Sequence, residues 1–76
     1  MNVEILTPDK TLFTGTAEVV TLPGTNGSFQ ILESHAPMIA NLGKGTLSIK
    51  TAGATESFEV KGGLVEVLQN KVVVLV

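Results

Sequence analysis

Apolar and polar residues alternate with a period of two wherever this chain has a period at all, and no stretch sustains a 3.6-residue repeat over three turns. In TLSIK (46–50), Leu47 and Ile49 alternate with Thr46, Ser48 and Lys50. In SFEVK (57–61), Phe58 and Val60 alternate with Ser57, Glu59 and Lys61. Successive side chains of a strand point to opposite faces, so each segment turns one face inward and one to water. TAGATE (51–56) lies between them, and its Gly53 offers the positive φ that hairpin loops often use. Adjacent antiparallel strands are predicted, with Lys and Thr facing Glu and Ser across the outer surface.

The remaining segments follow the same logic. VEILT (3–7) is a first strand stopped by Pro8 and Asp9; TAEVVTL (16–22) is a second, reached from Leu12-Phe13 through Gly15 and ended by Pro23-Gly24. SFQIL (28–32) puts Phe29 and Ile31 on one face. LVEVLQ (64–69) and KVVVLV (71–76) flank Asn70 closely enough for a hairpin. HAPMIANL (35–42) fits two helical turns or a strand; Pro37, third in it and without an amide donor, favours an edge strand or a bulged entry. Lys61-Gly62-Gly63 predicts a bulge or a sharp corner where a strand leaves one sheet for the other, and Leu42-Gly43-Lys44-Gly45 a tight turn.

Seven or eight short strands joined by Gly, Pro and Asn turns cannot hide their apolar faces in one flat sheet. The expected fold is all-β, a small two-sheet β-sandwich or flattened barrel, mainly antiparallel, forming a single domain over residues 1–76. With 76 residues and no cysteine, it has neither disulfides nor a thiolate metal site to stabilise it, and docking on a partner would add stability by linkage.

Charge narrows the function classes. Only 16% of residues are charged, against about 25% in an average domain, while 43% are apolar. Part of the surface is therefore left to neutral and apolar groups, as expected where it faces another protein, although a short all-β domain that is simply rich in Val and Thr has the same composition. A net charge of -2 without any arginine disfavours a phosphate backbone, so no nucleic acid is expected. MNVEILTPDK lacks the basic and apolar regions of a signal peptide. The longest apolar runs, such as VVVLV, fall far short of the roughly 20 residues of a spanning helix, so no direct membrane insertion and a cytosolic location are expected.

Little chemistry can be assembled from these residues. His35 is the only histidine, and Ser34 beside it points to the opposite face of an extended segment, which disfavours a nucleophile and base pair. No EF-hand, HExxH or GxxxxGK[ST] spacing occurs; neither catalytic residues, metal nor cofactor is expected. Glu66 stands out instead, because it shares a strand face with Leu64 and Leu68. That face reads either as a partly exposed docking surface, the favoured reading, or as an ordinary solvent carboxylate between two half-buried leucines, and VVVLV supports the first by being apolar on both sides.

VEILTPDKTLFTG (3–15), EVVTLPGTNGSFQIL (18–32), HAPMIANLGKGTLSI (35–49) and FEVKGGLVEVLQNKVVVL (58–75) cover nearly the whole chain. In that order they resemble the amino-terminal β-sandwich of the epsilon subunit of the rotary, proton-driven ATP synthase, called delta in mitochondria. The resemblance implies a ten-stranded, two-sheet sandwich, which sets the expected number at about eight to ten. It also implies a non-catalytic subunit of the central stalk that grips the gamma subunit, touches the c ring and couples proton flow to ATP synthesis.

By the same resemblance, Pro23, Gly24, Gly27 and Ser28 form the tip facing the c ring, and Glu33, His35, Pro37 and Met38 a neighbouring loop at that junction. The gamma side is assigned to Leu64, Glu66 and Leu68, with Gly62, Gly63 and Glu66 in the signature leading into the last strands. Glu33-Ser34 stands where many relatives carry a proline and a small or polar residue before His-Ala-Pro. For a chain ending at Val76 the expectation is a short form without the helical hairpin, hence without inhibition by that route and without ATP binding. The implied location is peripheral, on the cytoplasmic face of the bacterial inner membrane. A free-standing binding module for a peptide or carbohydrate is the alternative, and it would require an aromatic platform.

Overall fold

The two-residue alternation is realised in nine strands. The computed structural model describes residues 1–76. Its elements are β1 (Asn2–Leu6), β2 (Thr11–Thr16), β3 (Val19–Gly24), β4 (Gly27–Leu32), β5 (Met38–Leu42), β6 (Gly45–Lys50), β7 (Thr55–Val60), β8 (Gly63–Leu68) and β9 (Lys71–Leu75). The hydrogen-bonded order is β2-β1-β9-β8-β5-β3-β6-β7, with β4 on the other side of β3. Only β1 and β9 run parallel, with Val3 opposite Val72 and Ile5 opposite Val74.

The expected sandwich, or flattened barrel, forms from one sheet curled over on itself. β2-β1-β9-β8-β5 form one layer and β4-β3-β6-β7 the other, and the bridge between them is the single pair Gly24 and Leu42. Fifteen apolar residues form the shared interior, and no polar or charged residue is buried. Val3, Ile5, Val65, Val67, Val72 and Val74 come from one layer; Val20, Leu22, Ile31, Leu47 and Ile49 come from the other. Each such side chain stabilises the fold by about 1.5–3 kcal/mol relative to exposure.

Several expectations need correction. Thr11–Thr16 is a strand of its own, because a bulge opposite Ile5 and Leu6 accommodates the adjacent Leu12 and Phe13 and hides their alternation. The strand expected at 16–22 starts only at Val19, since Ala17 and Glu18 carry the chain between layers: Ala17 N donates to Met1 O and Glu18 N to Lys50 O. Pro23 does not end β3; the ladder to β6 has already stopped at Thr21 and Ser48, so its missing amide breaks no bond there. In HAPMIANL only Met38–Leu42 is strand. Gly53 does not use positive φ; its loop is closed by Thr51 N donating to Ala54 O.

The corner at Gly62-Gly63 forms as expected, with φ of 153° and 143°, and carries the chain from β7 at the rim of one layer to β8 inside the other. A Cβ on Gly63 would lie 2.2 Å from the carbonyl oxygen of Leu75. Backbone cannot yield there without breaking the β8–β9 ladder. Gly63→Ala should therefore destabilise the fold by about 2 kcal/mol or more. Gly53→Ala, where a Cβ meets nothing within 4 Å, should stay within about 0.5 kcal/mol. Urea unfolding of the two variants, compared at equal m-values, checks the difference.

Candidate docking face

Burying Val65 and Val67 inward forces Leu64, Glu66 and Leu68 onto the outer side of β8, as the alternation predicted. Their neighbours follow from register. Ile39 pairs with Glu66, Glu66 with Val73, and Val73 with Glu4. Beside that row run Asn41, Leu64, Leu75 and Leu6, and on its other flank Leu68, Lys71 and Asn2. Ile39 is 66% exposed, Leu75 46% and Leu68 44%, so three large aliphatic side chains stand in water on one face. Leu64, Val73 and Leu6 are half-buried between them.

The opposite layer has a different outer surface. Thr21, Gln30, Ser48, Ser57, Thr46, Glu59 and Lys50 face out there. Gln30 Nε2 donates to Thr21 Oγ1 at 3.4 Å, and the Thr46 hydroxyl donates to the Glu59 carboxylate. Leu32, 51% exposed, is the one large exposed aliphatic residue on that side. Isolated surface leucines are ordinary, whereas a contiguous apolar patch on one face marks an interaction site. Charge on the β5-β8-β9-β1 face is sparse: Lys71 Nζ lies 3.4 Å from Glu4 Oε1, and Glu66 has no ion pair or hydrogen bond.

The tip residues come together. Pro23 pairs with Ser28 and Gly24 with Gly27 around the two-residue turn Thr25-Asn26. A Cβ on Gly24 would lie 2.7 Å from Gly27 O, so the two strands close tightly there. Gly43 N donates to Pro23 O at 2.7 Å and ties the tip to the β5–β6 turn.

Glu33, His35 and Pro37 do not adjoin that tip, contrary to expectation. They follow Leu32, at the other end of the six-residue β4, and at about 3.3 Å per residue the two groups stand roughly 17 Å apart. Ser34 has φ of 63°, His35 N donates to Leu32 O at 3.2 Å, and His35 Nδ1 donates to Ala36 O at 2.7 Å. The Met1 amino group pairs with the Glu33 carboxylate and donates to Ala17 O at 3.1 Å. His35 thus holds its own loop, with backbone groups as its only partners. Met38 begins β5 and packs half-buried on the core.

Ile39 was not among the expected site residues, because its segment had no clear period; Val73 and Leu75 were signalled only as the surplus apolar side of VVVLV. Phe13, Phe29 and Phe58 all pack against the core, which leaves no aromatic platform on the surface.

The family whose model matches residues 1–76 is the β-sandwich domain of the ATP synthase delta/epsilon chain. The chain is 45% identical to the ATP synthase epsilon chain of Salinibacter ruber, covering 99% of this chain and 56% of that one. It is 39% identical to that of Leptospira borgpetersenii, covering 99% and 59%, and 40% identical to that of Chlorobaculum tepidum, covering 95% and 83%. The chain thus spans little more than half of the first two relatives and most of the third. Among solved structures, a chain in the Euglena gracilis mitochondrial ATP synthase (OSCP/F1/c-ring) matches with a TM-score of 0.88 at 17% identity, covering 96% of this chain and 48% of that one. A chain of the Tetrahymena thermophila central stalk and c ring matches at 0.84 and 21%, covering 97% and 60%. At those identities the likeness speaks for the fold.

If Ile39 and Leu75 are free in the isolated domain, replacing both by Ser removes apolar surface without opening the core. Binding of the dye ANS should fall, and the unfolding free energy should stay within about 0.5 kcal/mol. A loss of 2 kcal/mol or more in denaturant titration would mean that these side chains are packed.

Proposed function

Because the chain belongs to the family of the ATP synthase delta/epsilon β-sandwich domain, we propose that it is a non-catalytic part of the rotor, docking on the gamma subunit and touching the c ring. The observation that carries this reading is the contrast between its two outer faces: one polar and hydrogen-bonded, the other bearing Ile39, Leu64, Leu68, Val73 and Leu75. A rotor adaptor needs one adhesive face and one that slips through water. The gamma subunit is the occupant of the apolar face, through Leu64, Glu66 and Leu68 together with Ile39 and Leu75.

The tip at Pro23, Gly24, Gly27 and Ser28 is the contact for the c ring. Its small residues allow close approach, and the hydrogen bond from Gly43 N to Pro23 O braces it against the β5–β6 turn. The loop carrying Glu33, His35 and Pro37 lies at the opposite end of β4, so it fits a contact with gamma or its surroundings better than the same c-ring junction. Such a subunit sits peripherally on the cytoplasmic face of the bacterial inner membrane and takes part in coupling proton translocation to ATP synthesis. No helix of the chain is long and apolar enough to cross a membrane.

Two measurements test this. The full-length protein, purified gently, should retain gamma, and Ile39→Asp should weaken that binding by about 100-fold or more, since an uncompensated charge in an apolar interface costs several kcal/mol. Retention of gamma at wild-type affinity would exclude this face. In the assembled enzyme, a cysteine introduced at Asn26 should crosslink to the c ring, whereas one introduced at Gly53, at the other end of the fold, should not. Absence of the Asn26 crosslink would move the c-ring contact elsewhere.

A further inference from the structure

Glu66 is surrounded on the docking face by aliphatic side chains. Leu64 and Leu68 stand two residues away on its own strand, and Ile39 and Val73 are its partners on either side. Two carboxylates, Glu66 and Glu4, share this part of the surface with one cation, Lys71, whose ammonium lies with Glu4 at 3.4 Å. One negative charge is left over. In the free domain water solvates Glu66, which is half-buried. A partner that covers Leu64, Leu68, Ile39 and Val73 removes that water, and a carboxylate enclosed without a counter-charge strongly disfavours the complex.

We propose that the docking partner presents a single basic side chain, Lys or Arg, within an otherwise apolar patch, and that this cation seats on Glu66 inside the ring formed by Leu64, Leu68, Ile39 and Val73. The inference rests on the docking reading above and adds to it the chemistry of the partner surface. The aliphatic ring excludes solvent around the pair, which strengthens it, and the lone charge fixes the register of two apolar surfaces that would otherwise slide over each other. Lys71 is the only lysine whose register position neighbours Glu66, standing diagonal to it as it does to Glu4. It is therefore the one internal competitor for the role.

The test is the affinity of the full-length protein for the gamma subunit, with thermal unfolding of each variant as a control for folding. Glu66→Leu makes the face more apolar, so its effect has a diagnostic sign. With a partner cation opposite, binding should weaken by roughly 30-fold or more, because the basic group is left enclosed without its partner. Lys71→Ala should change binding by less than about threefold, as for a rim charge. Unchanged or tighter binding of Glu66→Leu, while Ile39→Asp still abolishes it, overturns the proposal and leaves the docking face standing. A loss on Lys71→Ala equal to that of Glu66→Leu, without further loss in the double variant, also overturns it by assigning the cation to this chain. Wild-type binding by Ile39→Asp removes the face itself, and the proposal with it.

Discussion

The two layers face each other across a wholly apolar interior, and hydrogen bonds join them only at its rim, at Gly24–Leu42, Gly43–Pro23 and Met1–Ala17. All fifteen buried residues are apolar, and no buried polar side chain pins one layer on the other. Cohesion of this kind is non-directional, so the uniqueness of the fold has to come from register: slipping one strand by a single residue would exchange its buried and wet faces. The parallel ladder of β1 and β9 sets that register for the central strands, since it seats Val3 and Ile5 beside Val72 and Val74. Gly63 supports it from the side by letting the chain turn into β8 against the Leu75 carbonyl.

A sandwich this small has one interior and two outer faces, and its apolar residues outnumber the interior positions. The surplus is not scattered. Ile39, Leu68 and Leu75 stand on one outer face with Leu64 and Val73 between them, while the other face carries cross-strand hydroxyl, amide and carboxylate groups. Leaving so much aliphatic surface in water is unfavourable unless something covers it. This asymmetry is the feature of the packing on which the docking proposed for this ATP synthase delta/epsilon β-sandwich domain rests.

The ends of the molecule differ as well. At one end Pro23, Gly24 and Gly27 close a two-residue turn, which the Gly43 amide anchors to the neighbouring β5–β6 turn. At the other, Ser34 in the left-handed region and the hydrogen bonds of His35 to backbone carbonyls shape a longer loop, held down by the pairing of Glu33 with the amino group of Met1. A six-residue strand separates them. Any partner arrangement must respect that separation, which is why two segments so close in sequence cannot be assigned to one contact on proximity along the chain.

Much was legible without coordinates. Strict alternation in TLSIK, SFEVK and LVEVLQ named the buried Leu47, Ile49, Val60, Val65 and Val67 and put Glu66 outside with Leu64 and Leu68, because a period of two leaves only the choice of face. The glycine pair at 62 and 63 marked the corner for an equally local reason. Alternation failed at Thr11–Thr16, where a bulge set against β1 makes adjacent Leu12 and Phe13 compatible with a strand. It failed again at Ile39, whose partner Glu66 lies far away along the chain. The local residue pattern determined the class of fold and which residues face away from the core. Long-range pairing alone decided that one curled sheet forms both layers, that Ile39, Val73 and Leu75 join β8 in a single patch, and that the tip and the His35 loop lie apart. Those arrangements depend on which strands meet, and strand partners are chosen by the packing of the whole chain rather than by any segment.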